Sequence, residues 1–339
     1  MVDLEEARSA ALEVLRYNRD GVVPGLPRTA AWGYPEPYTR DMMIASFGIL
    51  AQGDEALVES VRAVLEALAQ NQSSRGQIPS LANDPGDLGS SDTTPLFLIG
   101  LELYRRKSGE PGYLADSARK AFDWLAYQSP DENPLLAQMP TSDWRDEQWV
   151  LGYGLYVNAL YYIALRLHHR DDEAGRLQKA MQHFDLRSRR MREHIHEGLA
   201  IPEKPYYALW AYKMYHNERF DLLGNSLAIL SGLVSPGRAA AIIDWVEVEC
   251  ATLRRQGELA LDLPPCLFPF AREGDDDWQP RMAVFNRAGE YHNGGIWPFI
   301  CGFYVAALVA AGRQELAERK LLALVDLVRP ARQQAVAFG

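Results

Sequence analysis

Three carboxylates crowd one short stretch of the chain. Asp143, Asp146 and Glu147 lie in Thr141-Ser142-Asp143-Trp144-Arg145-Asp146-Glu147-Gln148-Trp149, which runs through Gly152-Tyr153-Gly154 into an uncharged, apolar segment. A carboxyl that is partly desolvated and sits beside other negative charges keeps its proton to higher pH, as a general acid must. Solvated acids at a helix start are the plain alternative, and the flanking Trp144 and Trp149 speak against it. A second stretch, residues 31 to 41, holds Trp32, Tyr34, Tyr38, Arg40 and Asp41. Its rings can stack on the C–H faces of a sugar, and an Arg beside an Asp can bond vicinal hydroxyls. In the plain reading Thr39 or Asp41 caps the next helix and Arg40 pairs with a neighbouring acid. Arg75-Gly76-Gln77-Ile78-Pro79 leads to Ser91-Asp92-Thr93-Thr94-Pro95, where Asp92 or Ser91 is a natural helix cap. The last dense stretch, Arg281 to Pro298, contains Glu290-Tyr291-His292-Asn293-Gly294-Gly295-Ile296-Trp297, and of seven histidines only His292 sits in such a polar and aromatic setting.

Other chemistries find no motif. No HxH or HExxH spacing occurs, and His168-His169, His194 and His196 read as solvated helix ends, so no metal site is expected. No GxGxxG, Walker loop or GxSxG is present, so no nucleotide cofactor and no serine-hydrolase nucleophile is expected.

The elements that must position these residues are helical. Apolar periodicity and caps predict eleven helices, near 3–18, 40–52, 54–71, 92–108, 111–128, 149–168, 171–194, 222–233, 236–256, 296–311 and 313–328, with strands scarce. Tight turns at Gly53-Asp54, Ser108-Gly109-Glu110-Pro111, Ser235-Pro236-Gly237 and Ala311-Gly312-Arg313 alternate with long loops, and the long loops alone carry the polar and aromatic stretches. That layout predicts an all-α fold, an (α/α)6 toroid with its long loops gathered at one mouth. Such a ring needs a twelfth helix, which the count lacks. The 339 residues allow two domains or one large fold. No linker is visible, so residues 1–339 are read as one domain.

Composition narrows the partners. With 45 acidic and 35 basic residues the net charge is −10, so no basic field is available for nucleic acid or an anionic membrane. Cys250, Cys266 and Cys301 are far apart and read as reduced core residues of a cytoplasmic protein. The acidic start MVDLEEARSA is unlike a secretory signal. The uncharged runs 148–165 and 293–312 approach the ~20 residues of a membrane span, yet they carry Asn158, Asn293, Pro298 and several glycines and read as inner walls of a helical protein.

The run Phe220-Asp221-Leu222-Leu223-Gly224-Asn225-Ser226-Leu227-Ala228-Ile229-Leu230-Ser231, followed by Tyr291-His292-Asn293-Gly294-Gly295-Ile296-Trp297-Pro298, resembles the neutral/alkaline invertase family and the related amylo-1,6-glucosidase (debranching-type) hydrolases. Tyr38-Thr39-Arg40-Asp41 is similar to their first sugar-binding loop. The resemblance implies an (α/α)6 barrel and an inverting glycoside hydrolase that needs no cofactor. It implies Asp146 as the general acid, through the Trp144-Arg145-Asp146 match to the Trp-x-Asp pattern of the debranching-type relatives, with Asp143 second. Arg40, Asp41, Gln77, Asp92, His292 and Trp297 are then expected to line the sugar subsite, with Trp32, Tyr38, Trp144, Tyr153 and Asn293 around it. The invertase acid sits in a different local motif, with two arginines after the Asp, so a small α-glucoside is as good a substrate as sucrose. In the family the base is a Glu after the eleventh helix, a motif this sequence does not reach; Glu290 is the substitute, its alternatives being a hydroxyl acceptor or a partner for Arg287. An impaired hydrolase is therefore expected. Two other readings stand beside it: a sugar-binding relative without turnover, and an epimerase on the same toroid, which needs more than the single His292. A small carbohydrate is the expected partner, and the sequence leaves the oligomeric state open.

Overall fold

This computed structural model describes residues 4–130, 133–182, 198–201, 203–213 and 215–337. Residues 183–197, with the end of the predicted 171–194 helix, His194 and His196, lie outside the described residues.

Helices α1 (Leu4–Asn18), α2 (Thr39–Gln52), α3 (Glu55–Gln70), α4 (Thr93–Ser108), α5 (Ala115–Ala126), α6 (Leu155–Leu167), α7 (Asp171–Met181), α8 (Leu222–Leu230), α9 (Pro236–Gln256), α11 (Pro298–Ala310) and α12 (Gln314–Ala337) answer to the eleven predicted. One more, α10 (Met282–Phe285), is a single turn within the last long loop. The boundaries follow local chemistry. Asp54 caps α3 by accepting the Leu57 N–H at 3.1 Å, and Ser235 caps α9 with Pro236 in its first turn. Gly53, Gly109 and Gly257 end α2, α4 and α9 in the left-handed conformation. The sixth predicted helix starts later than expected, at Leu155, because residues 149–154 are drawn into the mouth.

Helices α2, α4, α6, α8 and α11 pack side by side in that order, and Phe47 of α2 meets Phe303 of α11 edge to face at 6.4 Å. α4, α6 and α8 are buried on almost every side, as inner walls of a ring must be. The helices after them in sequence form an outer layer, with α3, α5, α7 and α12 each against the inner helix it follows, and α1 against α12. Gly224 allows the closest approach: a Cβ there would stand 2.7 Å from Leu155 of α6 and 2.7 Å from the Asp221 carboxylate. Among the described residues no helix is long and apolar enough to cross a membrane.

The long loops carry more order than expected. Strands β1 (Tyr153–Gly154), β2 (Ala208–Tyr212), β3 (Tyr215–Asp221) and β4 (Leu267–Phe268) form an antiparallel sheet in that order. The sheet joins three of the long loops at one end of the ring and delivers Asp221 to the start of α8.

Candidate active site

Three inner helices meet at one fork of charge. Neither Thr39 nor Asp41 caps α2. Thr39 instead donates its hydroxyl to the Pro79 carbonyl at 2.7 Å, tying the first loop to the second. Arg40 reaches α4, donating from Nε to Asp92 Oδ2 at 2.6 Å and from Nη2 to Oδ1 at 3.1 Å. Asp92 is fully buried, makes no cap bond, and takes a third hydrogen bond from the Tyr156 hydroxyl of α6 at 3.2 Å. Burial opposes the charge of Arg40, but Asp92 outweighs it and keeps the guanidinium protonated. Burial and then Asp92 hold the Tyr156 phenol protonated as well.

The acid-rich loop is anchored from below. Arg145 donates to Asp143 through its backbone N–H at 2.8 Å, Nε at 3.1 Å and Nη2 at 2.6 Å, while Gln138 donates to the same carboxylate at 3.0 Å. The other side of the guanidinium pairs with Asp221 at 3.0 Å, and none of the three side chains is more than 1% exposed. Burial pushes the Asp143 carboxyl up, but Arg145 more than reverses this and keeps it ionised below the usual range. A carboxylate so held has no proton to give near neutrality, so Asp143 is a holding group and not a second acid.

Asp146, by contrast, stands at the surface of the loop. Partial burial raises its pKa first; Arg40 draws it down, and the negative charges of Asp143, Asp92 and Glu147 push it up again, with a net rise. Its neighbour Glu147 is clasped by Arg281 at 2.5 and 2.6 Å. The Glu147 backbone N–H donates to His292 Nδ1 at 3.2 Å and its carbonyl accepts from Asn286 Nδ2 at 2.9 Å. Asp146 is thus pinned on both sides in the chain, through Arg145 to β3 and through Glu147 to the last loop.

That last loop is stapled by Asn293, which is fully buried and accepts the Ala271 N–H at 2.6 Å, donates to the Ala271 carbonyl at 2.8 Å and donates its own N–H to Asn286 Oδ1 at 2.8 Å. Gly294 follows with a φ of 108° and so close to Phe270 that a Cβ would lie 2.2 Å from its ring, which explains the glycine at this position. The turn presents His292, whose ring clusters with Tyr291 at 3.8 Å and Trp297 at 5.5 Å and meets Trp144 edge on at 5.1 Å. Burial, then Arg145, drive its pKa down to about 3. His292 is therefore neutral, and because Nδ1 accepts, Nε2 carries the proton. Burial and then Asp146 raise the Tyr291 phenol, so the acid lies within electrostatic reach of these rings.

The residues predicted as a site separate into two groups. Arg40, Trp144, Asp146, His292 and Trp297 share the mouth, and Tyr38, packed on Tyr34 at 6.1 Å, borders it. Asp41 is raised by burial, with Arg40 opposing, and also lines a small cavity toward α1 and α3. Asp92, Asp143, Tyr153 and Asn293, expected to touch sugar, are instead buried supports: each spends its polar atoms or ring on the protein, Tyr153 packing on Tyr212 at 5.6 Å. Gln77 donates to the Gly89 carbonyl at 2.8 Å and lines a neighbouring cavity of about 490 Å³ with Ser91 and Ser142. Trp32 is 89% exposed, and Glu290 is exposed in the last loop, where Arg287 donates to the Ala283 carbonyl. Sequence reasoning gave no site role to Tyr156, Asp221 or Tyr291, although Asp221 and Tyr291 lie inside the motifs that carry the resemblance; Glu147 was weighed only as one of three candidate carboxylates. Among the described residues no group of three or more His, Cys, Asp or Glu is placed to hold a metal.

The sequence model of the alkaline and neutral invertase family matches residues 178–330, the part that carries strands β2 to β4, α8, α9, the last loop and α11. Alkaline/neutral invertase E of Arabidopsis thaliana is 32% identical over 122 residues, 35% of this chain and 19% of its own. Cytosolic invertase 1 of Oryza sativa is 33% identical over 105 residues, 30% of this chain and 17% of its own. This chain resembles the alkaline and neutral invertases. The invertase-like stretch spans about a fifth of the length of these relatives, and the match begins beyond Asp146. Over the whole ring the likeness is to solved glycosidases. The GH63 mannosylglycerate hydrolase of Thermus thermophilus, in complex with glucose, superposes with a TM-score of 0.66 at 16% identity, over 96% of this chain and 92% of that one. A glycosidase variant in complex with glucose gives 0.63 at 17%, over 96% and 85%. These likenesses show the fold, the (α/α)6 toroid.

Proposed function

We propose that this chain is an inverting glycoside hydrolase of a small α-glycoside, with Asp146 as its general acid. One observation carries the reading: the surroundings of Asp146 raise its proton affinity at the mouth, and the acids named beside it are held by arginines, Asp92 by Arg40, Asp143 by Arg145 and Glu147 by Arg281, whereas Asp41, which burial also raises, lies toward the small cavity between α1 and α3. Arg40 and the Nε2–H of His292 supply donors for sugar hydroxyls, and Trp297 and Tyr291 supply ring faces. The aromatic wall lowers the local dielectric, which favours keeping the acid protonated until the leaving oxygen takes the proton.

For inversion a second carboxylate must activate water from the opposite face, about 6.5–9.5 Å from the acid. Glu290 serves as this base in our reading, since it sits two residues before His292 on the same loop. Its exposure gives it little positional restraint, which favours slow turnover and keeps open a sugar-binding role without catalysis. The neighbours' bound glucose favours a glucoside, and the invertase-like stretch favours sucrose. The test is a screen of sucrose, trehalose, isomaltose and glucosylglycerate, followed by NMR of the first-formed anomer. Release of the inverted anomer from one of them is expected. Binding without release by any of the four moves the assignment to the sugar-binding role, and release of the retained anomer contradicts inversion.

A further inference from the structure

Beside the mouth lies a larger cavity of about 940 Å³ that the reaction leaves unused. Its walls come from the same loops: Trp149 stands three residues after Asp146, and Gln279 two before the Arg281 that clasps Glu147. The hairpin β2–β3 supplies the opposite wall with Trp210, Tyr215 and Arg219.

Much of the charge in this cavity is held in local contacts, with Lys204 and Asp276 also in its lining. Arg219 takes Asp277 at 2.6 and 2.7 Å and Asp275 at 2.8 Å, Asn217 donates to Asp277 at 2.7 Å, and His216 faces Glu218 at 3.3 Å. The Arg219 guanidinium is spent on its two carboxylates, and the carboxylate and amide atoms retain lone pairs and donors for hydroxyl groups. Two large rings are left uncovered, Trp149 at 41% and Tyr215 at 72% exposure. Trp210 also lines the cavity, and its indole N–H, buried with the ring, finds no acceptor in the protein. Flat rings beside paired charges and a spare donor, in a volume at the upper end of ligand sites, match a neutral polyhydroxylated molecule larger than one sugar ring.

We propose that this cavity is a second saccharide-binding cleft, which takes a neutral oligosaccharide on the faces of Trp149 and Tyr215. It stands independently of Asp146 acting as an acid. The experiment titrates a panel of neutral di- to tetrasaccharides of glucose, mannose, galactose and fructose, by ligand-observed NMR and tryptophan fluorescence. The protein is the full chain carrying Asp146→Asn, so that no probe is consumed. At least one member is expected to bind. Adding Trp149→Ala or Tyr215→Ala weakens that binding about tenfold. Trp210→Phe, which removes the N–H and leaves a smaller apolar ring, weakens it several-fold with an unchanged far-UV circular dichroism spectrum and urea midpoint. Binding by no member of the panel overturns the proposal. So does binding that Trp149→Ala, Tyr215→Ala and Trp210→Phe all leave untouched while Arg40→Met abolishes it. Should the wild-type chain hydrolyse nothing while the Trp149-dependent binding persists, the hydrolase reading fails and the cleft stands.

Discussion

Asp146 and Arg40 define the chemistry by opposing each other. The guanidinium lowers the proton affinity of Asp146, and burial with the three nearby carboxylates raises it. Removing the cation therefore moves the balance one way. In Arg40→Met the Asp146 pKa rises, and the unpaired charge left on buried Asp92 pushes it the same way. Because the protonated form is the active one, the alkaline limb of the kcat profile shifts to higher pH, even as the lost sugar contact reduces the rate. A limb that shifts to lower pH contradicts the assignment. His292 offers a second check. With its pKa held near 3, its ring carbons show no titration between about pH 5 and 8 in NMR spectra. The linked stability has a definite sign: the folded value lies below the unfolded one, so the protein gives up stability as pH falls from about 6.5 toward 3. A titration of His292 near 6.5 would remove the case for a neutral Nε2–H donor.

The last loop is an element with no helix or strand of useful length to hold it, and Asn293 takes over that task. Its amide satisfies both backbone groups of Ala271, and its N–H is satisfied by Asn286. Asn293→Ala orphans buried donors and acceptors, at about 2–4 kcal/mol. Urea unfolding is expected to show that loss, and a change below about 1 kcal/mol would mean that the staple is not structural. This role was hidden in the sequence because its partners are separated from it by many residues. Here the sequence misled: His292-Asn293-Gly294-Gly295 reads as one binding motif, yet only His292 faces the mouth. The cap readings of Thr39, Asp41 and Asp92 failed similarly. Each residue type suits a helix start, but Pro79 and Arg40 compete for Thr39 and Asp92 through tertiary contacts that local pattern does not encode. β2 is a continuous apolar run whose five residues also suit a helix segment, and β3 is polar almost to its end, so neither shows the alternation that marks a strand.

Across the whole molecule, the ring was legible because inner helices such as α6 and α8 are apolar on nearly all sides and outer ones such as α3 and α5 on a single face, a contrast that 3.6-residue periodicity reports directly. The mouth was legible only as a set of loops. What turns those loops into a site is their joining by the sheet and by two buried forks, Arg40 with Asp92 and Tyr156, and Arg145 with Asp143 and Asp221. Both forks frame Asp146, a carboxyl at the mouth with a raised pKa, so the account stands or falls on that group. Asp146→Asn keeps its shape and hydrogen bonds while removing the transferable proton. The most direct measurement is its steady-state kinetics beside its sugar affinity, on whichever glycoside the screen shows to be hydrolysed. The account predicts a kcat reduced by roughly 10²–10⁴ with sugar affinity nearly unchanged. Full turnover by Asp146→Asn, or a loss confined to affinity, would contradict it.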